Sequence, residues 1–210
     1  MLTEDNALEL IKSTGAVEEG HFVFTNGSHA RVKITKKFNT KPHKLDLLAE
    51  AISDHFESYR VEVVISPAAG AIALGSRVAY YLGEETNFIY AEVINGQLLL
   101  PSGFADLIRE GTRVLVVDDT STTGGTEKEL MRAVRKLGAE VVGVGQLWNR
   151  TDVRLDVPIF SCVNRYLPDY PEDECPLCQE GVQINTDDKH GLAFVDRYGN
   201  NPSGWPANRK

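Results

Sequence analysis

The sequence predicts an α/β protein with a doubly wound, mostly parallel sheet. Three observations carry this expectation. Short apolar, β-branched runs at 61–66, 86–92, 113–117, 141–148 and 158–163 read as strands. Helical spacing fills 70–82 and 125–137, giving strand–helix–strand units of the length a parallel crossover needs. The strand at 113–117 (RVLVV) is almost wholly apolar, as expected of a strand covered on both faces.

The elements follow in order. Residues 3–14 read as an amphipathic helix with Leu8, Leu10 and Ile11 on its apolar side and Thr3 as its cap. Residues 21–38 alternate around Asn26-Gly27, a hairpin signal. Pro42 opens a helix over 42–57 with Leu45, Leu48, Ala49, Ile52 and Phe56 at helical spacing. Asn95-Gly96 makes 89–100 a second hairpin. Gly138 stops the helix 125–137, whose apolar face is Leu130, Val134 and Leu137. From about 164 onward Pro, Asp, Asn and Gly dominate, which predicts a loop-rich segment that frays after Lys189. The expected organisation is a single domain over 1–185, with a small N-terminal part at about 1–40, a core at about 41–165 and a polar tail at 186–210.

Composition narrows the function. With 42% hydrophobic and 25% charged residues over 210 positions, the chain has the make-up of a globular protein with a sizeable core. The net charge of −8 argues against nucleic acid or a membrane surface as partner. Basic residues nevertheless cluster at Arg31, Lys33, Lys36, Lys37, Lys41 and Lys44. No charged-then-apolar leader and no run of about 18 apolar residues occurs, so the cytoplasm is the expected location. Three cysteines do not suggest a disulfide framework.

The most informative stretch is Val114–Thr126, VLVVDDTSTTGGT. A buried strand ends in Asp118 and Asp119, and a small-residue loop then leads directly into a helix. Free backbone N–H groups and the positive helix end suit a phosphate. Gly124 and Gly125 permit close backbone approach, and the hydroxyls of Thr122, Thr123 and Thr126 add donors. The two carboxylates can only accept hydrogen bonds, which suits sugar hydroxyls or a metal-bound hydroxyl. A Walker A loop is excluded by the absence of Gly-Lys-Ser/Thr, and the glycine spacing does not fit a dinucleotide fingerprint.

This stretch resembles the phosphoribosyl-diphosphate signature of type I phosphoribosyltransferases. It departs in having Thr120 and Ser121 where the family usually has apolar residues. The similarity extends over roughly 10–182 and points to the orotate branch. GAVEEGHFVFTNGSHA (15–30) resembles the hood that covers the base, and Ser66–Ile72 resembles the loop that binds the diphosphate. Asn149-Arg150 resembles the family's Asx-Arg pair, whose arginine contacts the orotate carboxylate. The resemblance implies that Asp118 and Asp119 hold the ribose hydroxyls and that Thr122–Thr126 hold the 5′-phosphate. It likewise assigns the diphosphate to Ala68, Ala69 and Gly70, and the orotate carboxylate to Arg150. Thr25 and Lys33 become hood candidates.

The implied reaction joins orotate to 5-phosphoribosyl 1-diphosphate, giving orotidine 5′-phosphate and diphosphate in pyrimidine biosynthesis. Mg²⁺ would be carried in by the diphosphate substrate, and the family implies a homodimer. A catalytic lysine cannot be assigned, because Tyr90–Phe104 (YAEVINGQLLLPSGF) holds no Lys or Arg. Two other readings therefore stay open: transfer to another base, such as a purine, and a non-catalytic phosphoribosyl-diphosphate-binding regulator. Cys175-Pro176-Leu177-Cys178 resembles a tail motif of one bacterial-type subgroup. With Cys162 and His190 it could complete a metal site on paper, but a reduced structural turn is the expectation. His21, His29, His43 and His55 lack ligand spacing.

Overall fold

A computed structural model describes residues 2–94, 97–187 and 189–199. In chain order the elements are α1 (Glu4–Lys12), β1 (Val17–Val23), β2 (His29–Ile34), α2 (Pro42–Phe56), β3 (Val63–Pro67), α3 (Ile72–Leu82), β4 (Asn87–Ile94), β5 (Gln97–Leu99), β6 (Arg113–Ser121), α4 (Gly125–Lys136), β7 (Glu140–Asn149), β8 (Ile159–Asn164), β9 (Asp169–Tyr170), α5 (Pro176–Gln179) and α6 (Lys189–Tyr198). The chain divides into two compact units. The larger holds the segment up to Thr14 together with Lys36–Tyr166; the smaller holds Gly15–Thr35 and the segment from Leu167 on. The N-terminal part anticipated at about 1–40 is thus divided, α1 and the 3-10 turn Lys36–Thr40 going with the larger unit.

The larger unit is built on a six-stranded sheet of order β5-β4-β3-β6-β7-β8. Only β5, which returns antiparallel on β4, breaks the parallel run. The chain goes outward from β3 to β4 in one direction and from β6 through β7 to β8 in the other. Because parallel crossovers are right-handed, α3 and α4 cover opposite faces, and the order reverses between β3 and β6. A crevice opens at the carboxyl ends of strands flanking such a reversal.

Each face has its own packing logic. Val63, Ile65, Val114, Val116 and Val144 turn toward Leu130, Met131 and Val134 of α4. On the other face α2 buries Leu45, Leu48, Ala49, Ile52 and Phe56. It lies against β7 at Gly143 and Gly145, where an added Cβ would run into the Phe56 ring and come 2.5 Å from Ile52 Cγ2 respectively. Two glycines in a strand interior normally weaken it; here they let a large helix sit close to the sheet. Thr3 caps α1, its Oγ1 accepting from Asn6 N at 3.3 Å, and α1 buries Ala7, Leu8 and Ile11.

The smaller unit is a three-stranded antiparallel sheet of order β1-β2-β9 with α5 and α6. The turn between β1 and β2 closes through Phe24 N donating to the Ser28 carbonyl at 2.8 Å, with Asn26 Oδ1 accepting from Ser28 N. The expected fraying after Lys189 is corrected, since Lys189–Tyr198 is helical. Its amphipathic pattern was masked by flanking Asp, Gly and Asn, and Phe194 anchors it by packing edge-on against His29, ring centroids 5.0 Å apart. The Asn95-Gly96 turn and residues 200–210 of the expected tail lie outside the described residues. Among the described residues no helix is long and apolar enough to cross a membrane.

Gly143→Ala tests the packing of α2 on β7. Overpacking at this site should cost about 1–3 kcal/mol. Urea unfolding should show a lower midpoint with an unchanged m-value.

Candidate active site

The crevice between β3 and β6 is a cavity of about 290 Å³ in the larger unit. Its wall is formed by Pro67, Ala68, Gly70 and Ala71 after β3, by Asp118, Asp119 and Thr120 at the end of β6, by Thr126 and Glu129 of α4, by Val93 and Leu98 of the β4–β5 hairpin, and by Lys36. The two loops singled out in the sequence therefore meet in one place. They meet because β3 and β6 are adjacent and parallel, with Val63 opposite Val114 and Ile65 opposite Val116. Continuing that register puts Pro67, the last residue of β3, level with Asp118, so the loop after β3 opens beside the two acids.

Asp118 is buried, 6% exposed, and its Oδ1 accepts from Asp119 N at 2.7 Å. Burial first, and then the Asp119 and Glu127 carboxylates, push its carboxyl well above the ordinary range. Asp119 is more open, and its Oδ2 pairs with Lys36 Nζ at 3.3 Å. The Lys36 side chain is 65% exposed, so the pair is largely solvated and of modest strength. Lys36 nonetheless brings a positive charge into a cavity otherwise lined by three carboxylates, those of Asp118, Asp119 and Glu129.

Close backbone approach is needed at Gly70. A Cβ there would meet Lys36 Nζ and lie 2.5 Å from Asp119 Oδ2. The Gly70 carbonyl accepts from Asn39 Nδ2 at 3.0 Å, which ties the Lys36–Thr40 turn to this loop. The Ala68–Ala69 peptide bond is cis.

After β6 the loop Thr122–Gly124 leads into α4. Gly124 caps the helix in the left-handed region at φ +70, and a Cβ there would also lie 2.7 Å from Val153 Cγ1. Two independent constraints thus demand glycine at this position. The carbonyl of Thr122 accepts from the Thr151 hydroxyl, and Ser121 O accepts from Arg150 N at 3.0 Å. The segment after β7 therefore braces the phosphate-type loop. The α4 N-terminus supplies amide donors in its first turn, the arrangement that favours an anion.

Ala68, Gly70, Asp118, Asp119 and Thr126 thus line one cavity. Thr122, Thr123, Gly124 and Gly125 form the adjoining turn and the start of α4, and Ala69 lies between two lining residues. Arg150 directly follows β7 and is buried, 6% exposed. Thr25 and Lys33 belong to the smaller unit. There Thr25 Oγ1 lies 3.2 Å from His190 Nε2, and Lys33 Nζ sits 5.6 Å from the Phe22 ring centroid.

Several residues were missed or undervalued in the sequence. Lys36 was one of six basic residues in a cluster, and nothing in the spacing singled it out. Glu127 is 2% exposed at the start of α4, and its Oε1 has no hydrogen-bond partner among the described residues. A glutamate in a first helical turn reads as dipole compensation, so its burial beside Asp118 gave no signal. The paper pairing of Cys175 and Cys178 with Cys162 and His190 is corrected. Cys162 belongs to the larger unit, where its thiol contacts the Leu48 carbonyl at 3.6 Å, and His190 contacts Thr25. The histidines that join Cys175 and Cys178 are His21 and His29, both dismissed on spacing.

Comparison with known proteins agrees with this geometry. The family model described as phosphoribosyl transferase domain matches residues 35–166. The chain is 36% identical over 186 residues to the orotate phosphoribosyltransferase of Caldanaerobacter subterraneus subsp. tengcongensis, covering 87% of this chain and 96% of that one. It is 35% identical over 188 residues to that of Thermotoga maritima, covering 88% and 98%. Among solved structures, orotate phosphoribosyltransferase of Mycobacterium tuberculosis H37Rv in complex with inorganic phosphate aligns with a TM-score of 0.62 at 20% identity, covering 77% of this chain and 95% of that one. Adenine phosphoribosyltransferase of Thermoanaerobacter pseudethanolicus gives the same score at 21% identity, covering 75% and 99%. These two likenesses are of fold alone, and the fold serves both bases. The matched region begins beside Lys36 and ends with the larger unit, so it takes in every residue that lines the cavity, and the chain belongs to the phosphoribosyl transferase domain family.

Proposed function

We propose that the protein is an orotate phosphoribosyltransferase that makes orotidine 5′-phosphate and diphosphate from orotate and 5-phosphoribosyl 1-diphosphate. The observation that carries this is the meeting of the Ala68–Ala71 loop with Asp118, Asp119 and Thr126 around one cavity in a family member. Identity of 35–36% to orotate enzymes along almost their whole length supports the choice of base. So does a buried arginine directly after β7, because a guanidinium grips a carboxylate with two parallel hydrogen bonds and an uncharged base offers no such partner.

In this reading the α4 N-terminus and the Thr122–Thr126 loop bind the 5′-phosphate, and the carboxylates of Asp118 and Asp119 accept from the ribose hydroxyls. The backbone of Ala68, Ala69 and Gly70 binds the diphosphate. A ring nitrogen of orotate attacks the anomeric carbon as the bond to diphosphate breaks. No protein nucleophile is needed; positioning and stabilisation of the departing charge carry the rate. Lys36 moves from Asp119 to the diphosphate, supplying the cation that Tyr90–Phe104 lacks. The cavity's hard carboxylate oxygens fit Mg²⁺, which would be held mainly by the substrate with Asp118 and Asp119 nearby. The chemistry it would supply when bound is charge neutralisation on the leaving diphosphate. Thr25 and Lys33 are the hood residues proposed to face the base. A homodimer working in the cytoplasm completes the proposal.

The decisive experiment mixes the protein with orotate, 5-phosphoribosyl 1-diphosphate and Mg²⁺ and follows the loss of orotate absorbance, with adenine in parallel. Turnover of orotate alone is expected. Tight binding of the diphosphate substrate in calorimetry with no turnover of either base would instead support the ligand-binding regulator, the reading that the cation-free hairpin favours. Arg150→Ala should raise KM for orotate at least tenfold, the loss of about 1.5–3 kcal/mol in charged hydrogen bonds, while leaving KM for the diphosphate substrate nearly unchanged.

Lys36→Ala should do the reverse, raising KM for the diphosphate substrate and lowering kcat while sparing orotate. Asp118→Asn has two readouts of opposite sign. In the empty protein a carboxyl raised above its ordinary value of 3.8 loses stability as pH rises past that value. The asparagine variant should therefore unfold at higher urea than wild type at pH 7. Its affinity for the diphosphate substrate should fall by about tenfold or more, because a charged acceptor of sugar hydroxyls is gone.

A further inference from the structure

The smaller unit contains a group of side chains that the reading of the core cavity does not use. His21 of β1, His29 at the start of β2, and Cys175 and Cys178 around α5 place one ligand-type atom each within 4.8 Å of one another. All four residues are buried: His21 is 1% exposed, His29 0%, Cys175 0% and Cys178 4%. Cys178 Sγ lies 3.3 Å from His29 Nδ1 and 3.6 Å from His21 Nε2; Cys175 Sγ also lies 3.6 Å from His21 Nε2. The two ring nitrogens are 2.8 Å apart. From these juxtaposed atoms we propose that the smaller unit is built around a structural Zn²⁺ site of two histidines and two cysteines, closed to solvent and sharing no residue with the phosphoribosyl cavity.

The distances agree with the metal's own geometry. Tetrahedral Zn²⁺ with bonds of about 2.3 Å to sulfur and 2.0–2.1 Å to nitrogen holds its ligand atoms roughly 3.3–3.8 Å apart. The three sulfur–nitrogen separations above already fall in that range; the two imidazoles must part by about half an ångström, and the overall spread of up to 4.8 Å must draw in by about 1 Å for all four to ligate. Charge is satisfied as well. Two thiolates and two neutral imidazoles cancel the charge of the ion, so a fully buried site carries no net charge. Mixed sulfur and nitrogen ligands in a closed four-fold set select zinc over the hard cations.

The surroundings orient the ligands. His21 Nδ1 lies 2.7 Å from the Val182 carbonyl, which fixes its proton there and leaves Nε2 to ligate. Cys175-Pro176-Leu177-Cys178 turns tightly, Gln179 N donating to the Cys175 carbonyl and Gly181 N to the Cys178 carbonyl, each at 3.2 Å. Both thiols thereby face the same point. The Phe194 ring packs on His29 from α6, and Leu177, Tyr170 and Val182 close the cluster. Besides the cysteines themselves, Leu177 is the one fully buried member of that cluster. An apolar shell of this kind keeps water from the ligands of a structural metal.

The full chain, purified without chelator from zinc-supplemented cells, should contain equimolar zinc by mass spectrometry of the metal. After chelation it should take up Co²⁺ with the visible bands of a tetrahedral site and a near-ultraviolet thiolate-to-cobalt band. Cys178→Ser and His29→Gln should reduce bound metal about tenfold or more, whereas Cys162→Ser in the larger unit should retain it. Should the variants fail to fold, the wild-type chain alone decides. A metal-free wild-type protein that stays folded and takes up neither Zn²⁺ nor Co²⁺ overturns the site, as does loss of metal on Cys162→Ser equal to that on Cys178→Ser. Orotate turnover is scored in the same preparation. A zinc-free but active chain would sink the metal site alone, and a zinc-loaded inactive chain the enzymatic reading alone.

Discussion

A carboxylate held out of water at the end of a central strand sets the terms for the larger unit. Asp118 sits toward the carboxyl end of β6, near the Asp119 and Glu127 carboxylates, and burial alone already disfavours its charge. A group this costly persists where a ligand later satisfies it. Much of the neighbourhood reads as accommodation. Asp119 N donates to Asp118, Lys36 approaches Asp119, and the α4 N-terminus lies close by. The empty site holds more carboxylate charge than its near cation balances, and hydrogen-bond donors reaching Asp118 would offset the cost of burying it.

Backbone proximity is the second constraint. Gly70 leaves room for Lys36 and Asp119, and Gly124 permits a left-handed turn against Val153. Beneath them, Gly143 and Gly145 let α2 settle onto β7. The same β7 ends in Asn149, with Arg150 next, whose amide braces the loop after β6. Helix packing on one face of the sheet and the shape of the phosphate-type turn are therefore linked through a single strand.

Much of the core was readable in the sequence, for physical reasons. Buried parallel strands are apolar throughout, so 113–117 and 141–148 declared themselves. Helices with caps and stops, such as the one opening at Pro42, did likewise. Asp118, Asp119 and the Thr-Gly loop were legible because strand, acids, loop and helix are contiguous. Lys36 was not, because its place in the cavity depends on a 3-10 turn and on Asn39 reaching Gly70. His21 and His29 were not either. Their meeting with Cys175 and Cys178 depends on two segments that lie some 150 positions apart, a separation no local spacing rule can report. The helix at Lys189–Tyr198 escaped because its anchor, Phe194 on His29, is equally remote in sequence.

The interleaving of the two units has a consequence for how the protein is made. Gly15–Thr35 leaves the ribosome well before its structural partners from Leu167 onward. In between comes the whole of the six-stranded sheet from β3 to β8, which can settle as a body while the hairpin waits. Strand β2 gains its outer neighbour β9 only after that sheet has been made. A nascent chain stopped before Leu167 would carry the assembled sheet of the larger unit and a β2 edge still unpaired, the surface that chaperones cover and that other hairpins capture.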